Sequence, residues 1–224
     1  MPTERDALLR AVLEDPDDDL PRRVFADHLL DYGDEWEQEQ GRFIHAQLAN
    51  PEARIRMPLW SFRNPISTAH TPDERVAARM GAGLLAFSYD ANSQMHWHRG
   101  FLRAIVSSDL GGLIRSADYV CRLQPVVAMV PHLPEGTNAV WASTSNFVGV
   151  WRNPTGDRIG HRVGIPIYLL QFADGCDHDP EATDHTIAFE STDEVAQWLS
   201  DTLVRYGRHH AGLPPIIPDA IVRV

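Results

Sequence analysis

His96-Trp97-His98 sets two imidazoles two residues apart, and strand alternation puts both on one face of an extended segment. A second group of donors, Cys176, Asp177, His178 and Asp179, follows later, with His185 close behind. Thiolate, imidazole and carboxylate are the ordinary ligands of zinc and similar divalent ions, so the residue types suffice for a metal site. The spacing does not: no pair matches a recognised zinc pattern, and eleven histidines scattered over a surface account for the same counts. His96, His98, Cys176 and His178 are therefore metal-ligand candidates in a chain for which no resident metal is expected. The alternative function they define is a metal-binding protein or a metal-dependent hydrolase.

Arg22 and Arg23 stand about one helical turn before Asp27 and His28. Arg22, Asp27 and His28 form a candidate exposed recognition face. Helix spacing alone also offers Asp27 an ion pair with an arginine one turn back, worth about 0.2–0.5 kcal/mol. Asp27 is the first choice for a specific contact, structural rather than catalytic. Nothing points to a catalytic residue. The chain has no G-x-S-x-G elbow and no nucleophilic-cysteine signature. Gly81-x-Gly83 and Gly111-Gly112 lack the further glycines of a phosphate loop, and all twenty basic residues are arginine. Without lysine, neither a Walker-type site nor a Schiff base can be built, and no cofactor is expected. Trp141, Trp151 and Trp198 read as core or interface anchors rather than platforms for stacked bases.

The elements that must position these groups belong to a chain of 224 residues and 25.1 kDa, enough for a sizeable core. No apolar run reaches the roughly 18 residues of a membrane helix, and Met1 to Asp6 lacks the pattern of a secretory signal. A cytoplasmic location follows as the expectation, with Cys121 and Cys176 as free thiols. The net charge is −11, and residues 1–50 hold thirteen acidic side chains against five arginines. Such a segment repels nucleic acid. A solvated helical surface is the plain expectation for it; an acidic antitoxin or immunity-type protein capping a basic partner is the second alternative.

Thr3 with Asp6 opens a first helix whose stripe is Leu8, Leu9, Val12 and Leu13, and Asp15-Pro16 closes it. Asp19 is the expected cap of a second helix, with Pro21 in its first turn. Its expected apolar stripe is Val24, Phe25, His28, Leu29 and Tyr32, and Gly33 supplies a left-handed stop. Asp34 and Glu37 open a third helix that ends at Asn50-Pro51. Residues 51–71, rich in proline, read as an ordered linker, and a fourth helix runs from Thr71-Pro72 toward Phe87. Residues 72–224 form the α+β domain. It holds a β-α-β unit over 100–130, strands within 138–190 including Ile165–Phe172, a helix over 192–207 and an extended apolar tail over 213–224.

The motif Leu8-Leu9-x-Ala11-Val12-Leu13-x-Asp15-Pro16-x-Asp18-Asp19 continues through Pro21-Arg22-x-Val24-Phe25-Ala26-Asp27, Gly33-Asp34 and Arg42-Phe43-Ile44-x-x-Gln47-Leu48. It resembles the bacterial repeat-companion domain of planctomycetes and myxobacteria, often found before leucine-rich repeats. His28 replaces the tryptophan usual after the Ala-Asp pair, and Glu35 to Gln40 is an insertion. His98-Arg99-Gly100-Phe101 through Pro125-Val126 resembles the entry to such a repeat array, but residues 131–224 hold no leucine-rich ladder. The resemblance implies an acidic helical companion module over 1–50 with the usual repeats replaced. The expected fold is α+β, an N-terminal three-helix unit packed on a mixed β-sheet domain with a C-terminal helix. The expected function is a non-enzymatic protein–protein interaction or scaffold module, with a protein partner and neither nucleic acid nor membrane.

Overall fold

In the computed structural model the described residues are 3–50, 52, 54–58, 71–82, 84, 93–133, 135–143, 147–152, 158–161 and 184–216. At 57, 58, 82, 137–143, 147–152, 158–161 and 184–188 the description is of backbone alone. The strand expected at Ile165–Phe172, the donors Cys176 to Asp179 and the tail beyond Ile216 lie outside these residues.

The chain is α+β. Helices α1 (Glu4–Glu14), α2 (Asp19–Tyr32) and α3 (Glu35–Ala49) come first, followed by strand β1 (Arg54–Pro58) and helix α4 (Pro72–Ala82). Strands β2 (Gln94–His98) and β3 (Phe101–Ser107), helix α5 (Leu110–Leu123) and strand β4 (Ala128–Pro131) complete a first sheet of order β1-β2-β3-β4. Its first two pairings are antiparallel and β3–β4 is parallel, so β3-α5-β4 is the expected β-α-β unit. Strands β5 (Thr137–Ser143), β6 (Phe147–Arg152), β7 (Arg158–His161) and β8 (Asp184–Ala188) form a second, antiparallel sheet of order β7-β6-β5-β8. Helix α6 (Thr192–His210) packs on α5 and β4 and also meets β5.

Side chains at the helix starts explain where the helices begin. Reciprocal capping boxes join Thr3 to Asp6 and Asp34 to Glu37, satisfying N–H groups that the first turn leaves without partners. The second cap is Asp18 rather than Asp19; its carboxylate accepts from the Leu20 N–H at 2.9 Å. Gly33 ends α2 in an extended conformation, φ −77°, not in the expected left-handed one. It is required for space, since a Cβ there would lie 2.6 Å from the Glu37 Cβ. The stretch expected as a linker contributes β1, an edge strand antiparallel to β2. Pro58 is its last residue, and the end of an edge strand is a place where proline is tolerated.

Trp97, Met95, Leu102, Ile105, Leu113, Val120 and Leu203 belong to one large core between the first sheet, α5 and α6. Val12, Phe25, Leu29, Ile44 and Leu48 form a smaller core among the first three helices, and Phe101 from β3 is inserted into it. The edge of β4 is held from α6, where the Ser200 hydroxyl accepts from the Met129 N–H at 2.9 Å. Among the described residues no helix is long and apolar enough to cross a membrane.

Candidate interaction face

The loop from Asp15 to Asp19 carries four carboxylates, and each has a task inside the molecule. Asp15 accepts from the N–H groups of Asp17 and Asp18, closing the turn after α1. Asp18 caps α2. Asp17 pairs with Arg103 at 2.7 Å and Asp19 with Arg99 at 3.2 Å. Main-chain oxygens of the same loop accept from the arginines as well: Arg103 donates to Pro16 at 2.9 Å, Arg99 to Asp17 at 3.0 Å, and Arg22 to Asp18 at 2.7 Å and to Pro16. Acidic residues that looked like an open charged surface are thus gripped by three guanidiniums.

Sheet irregularity aims two of those arginines. Between β2 and β3 the register shifts so that His96 faces Ala104 and Trp97 faces Leu102, leaving Arg103 as a bulge. The hairpin joining the two strands is the two-residue turn Arg99-Gly100, both at positive φ (54° and 81°), the geometry that suits the twist of antiparallel strands. Arg99 is the one described non-glycine residue in that region, and its side chain is the one that reaches Asp17 and Asp19.

Arg22, Asp27 and His28 do not share a face. Arg22 is 1% exposed and stacks 5.8 Å above the Phe101 ring. Burial, with Arg103 and Arg99 nearby, pushes its pKa down to about 10 in spite of Asp19 and Asp17. Arg22 therefore works inside the molecule. Asp27 is exposed and bonds to neither arginine; its carboxylate lies 2.8 Å from the His45 Nε2 on α3. His28 stacks at 5.2 Å on Tyr32.

The expected stripe of α2 also divides. Phe25 and Leu29 are buried, whereas Val24 and Tyr32 point outward. With Leu20 they give an exposed ridge at four-residue spacing: Leu20 64%, Val24 42%, Tyr32 77% exposed, with His28 between the last two. Asp31 flanks the ridge with no ion partner among the described residues, and the Asp27–His45 pair lies beside it. Residues at i, i+4, i+8 and i+12 lie along one side of a helix, a signal present in the sequence but read there as core.

His96 and His98 both alternate with the buried Met95 and Trp97, as expected. No third ligand joins them: among the described residues no three histidine, cysteine, aspartate or glutamate side chains come together as a metal site. The His96 Nε2 is buried without a hydrogen-bond partner, and burial together with Arg56 lowers its pKa. Cys121 is buried, its thiol pushed up to about 12 by desolvation, which removes it as a nucleophile. Trp198 packs against Phe189 at 5.7 Å, an anchor as expected. Trp36, expected with Phe43, Ile44, Gln47 and Leu48 on the packing face of α3, instead lines a hollow between α3 and α4, with the Arg79 guanidinium 3.9 Å from its ring centroid. Compared with known proteins, the chain matches no family model, no curated protein and no solved structure.

Proposed function

We propose that this protein is a non-enzymatic protein–protein interaction module that docks its partner on the outward ridge of α2, and that its first fifty residues are the companion-type unit they resemble. The observation that carries this is the ridge itself: Leu20, Val24 and Tyr32 are large apolar side chains left in water on one helix face. Removing such a row from water is worth about 25 cal/mol per Å² of apolar surface, and an amphipathic helix face is a common docking element. Tyrosine is among the side chains that most often dominate such contacts. The acidic flank set by Asp31, in a chain of charge −11, favours a partner whose apolar patch is rimmed by arginine or lysine.

The test is site-specific photo-crosslinking in extracts of the source organism. The crosslinker replaces Val24 or Tyr32, with Arg115, exposed on α5, as the control position. A shared adduct at Val24 and Tyr32, absent at Arg115 and lost when Leu20→Asp is added, is the expected result. Adducts that do not distinguish the three positions, or none, count against the ridge.

A further inference from the structure

The second feature that the interaction reading does not use lies on the other side of α3. Trp36, Phe43 and Ala46 on α3 face Pro72, Val76 and Arg79 on α4 across a hollow of about 720 Å³. That volume falls in the range of about 300–1,000 Å³ typical of small-molecule sites. Phe43 is 2% exposed and Val76 partly buried, so the floor is apolar and anchored in the main core. Arg42, Arg75 and Arg79 stand around it, with Glu39 and Asp73 as the opposing charges.

These arginines differ from those of the loop clamp. Arg22, Arg99 and Arg103 all donate to carbonyls or carboxylates of the chain itself. Arg42 and Arg75 are exposed, and among the described residues neither side chain makes an ion pair or a hydrogen bond. Arg79 stacks on the Trp36 indole, a cation–π contact that holds the guanidinium over the ring, and its side chain makes no hydrogen bond or ion pair among the described residues. The hollow thus combines an aromatic wall, an apolar floor and three guanidiniums against two carboxylates. A guanidinium presents paired N–H donors that match a carboxylate. The net charge of −11 works against multiply charged ligands at long range, while one negative charge placed among the arginines is favoured locally.

We infer that the α3–α4 hollow is a binding site for a small amphiphilic monoanion, a carboxylate on an aromatic or apolar body. The body rests on Trp36, Phe43 and Val76, and the carboxylate meets Arg42 and Arg75. This site is separate from the α2 ridge and stands or falls without it.

Calorimetric titration of the whole chain with 1-naphthoate, and with uncharged 1-naphthylmethanol as the shape-matched control, tests the site. Saturable binding of naphthoate with little or none of the alcohol is expected. Arg42→Ala and Arg75→Ala should each weaken naphthoate on the order of tenfold, as expected for loss of one charge-assisted pair. Trp36→Leu should weaken it too, and Arg115→Ala should not. Arg42 and Arg75 are exposed, so their loss should leave thermal unfolding in place, which circular dichroism of the same samples checks. Equal binding of acid and alcohol, no saturable heat from naphthoate, or affinity indifferent to Arg42 and Arg75 each overturns the proposal. Preference for an acidic peptide such as tetraglutamate over naphthoate overturns it as well.

Discussion

At the scale of single residues, the chain assigns its charges according to whether a partner is within reach. Arg22 stays inside because Pro16, Asp18 and Asp19 surround its guanidinium, although its Nε has no acceptor. His96 is the opposite case, a half-buried basic group with one ring nitrogen left without a hydrogen-bond partner. Its Nε2 is buried and unpaired, and its pKa is lowered from 6.5 by burial and then by Arg56. A base whose folded pKa is depressed takes up its proton more readily in the unfolded chain. Stability is therefore whole above the unfolded value of 6.5 and is lost as pH falls from there through the folded value. Replacing His96 by Gln removes that loss. Between about pH 7 and pH 5 the melting temperature of the wild-type protein should fall further than that of H96Q. Equal slopes would mean that other groups set the acid sensitivity.

At the scale of elements, the β2–β3 hairpin is what seats the first sheet on the helices. Gly100, at φ +81°, sits against α3 so closely that a Cβ would lie 2.6 Å from both the Cα and the Cγ1 of Ile44. The next residue, Phe101, enters the helical core and meets Phe25 at 6.1 Å. Gly100→Ala combines a strained backbone with a clash against main chain, so a loss of about 3 kcal/mol in urea unfolding is expected. A change below about 1 kcal/mol would show that the hairpin can back away from α3 at little cost. Local signals made much of this frame legible in the sequence. Thr3 with Asp6, Asp34 with Glu37 and the parallel β3-α5-β4 unit follow from capping and periodicity. What stayed hidden depends on neighbours far along the chain. Val24 and Tyr32 have the periodicity of core residues, yet Phe25 and Leu29 fill the core and leave them outside. Arg22 could be placed inside only by knowing that Arg99 and Arg103, some 80 residues on, would secure the carbonyl-rich loop beside it. The hollow beside Trp36 was hidden for the same reason, because it exists only when α4 lies on α3.

At the scale of the whole molecule, the first and last described helices exchange arginines. Arg208 on α6 donates to Leu13 O at 2.9 Å and Glu14 O at 3.3 Å, carbonyls that the end of α1 leaves without helical partners. Arg10 on α1 donates in return to Ala211 O at 3.1 Å and to Gly212 O, just past the end of α6. Positive charge at a helix C-terminus is also favoured by the helix dipole. The two contacts look symmetrical but differ in burial. Arg208 is 1% exposed and holds Pro214 O at 2.7 Å as well, whereas the Arg10 side chain is 42% exposed and pairs with Glu14. Water replaces a lost donor readily at the exposed position and less well around Arg208, whose bond to Leu13 O is buried. Arg208→Met keeps most of the volume and strands the carbonyls, so about 3 kcal/mol should be lost, against at most about 1 kcal/mol for Arg10→Met. Hydrogen exchange gives the local readout: the last turn of α1 should exchange faster in R208M, although the substitution lies on the other helix. Equal costs for the two variants, or unchanged exchange in α1, would mean that the joint between α1 and α6 holds by apolar packing and not by these donors.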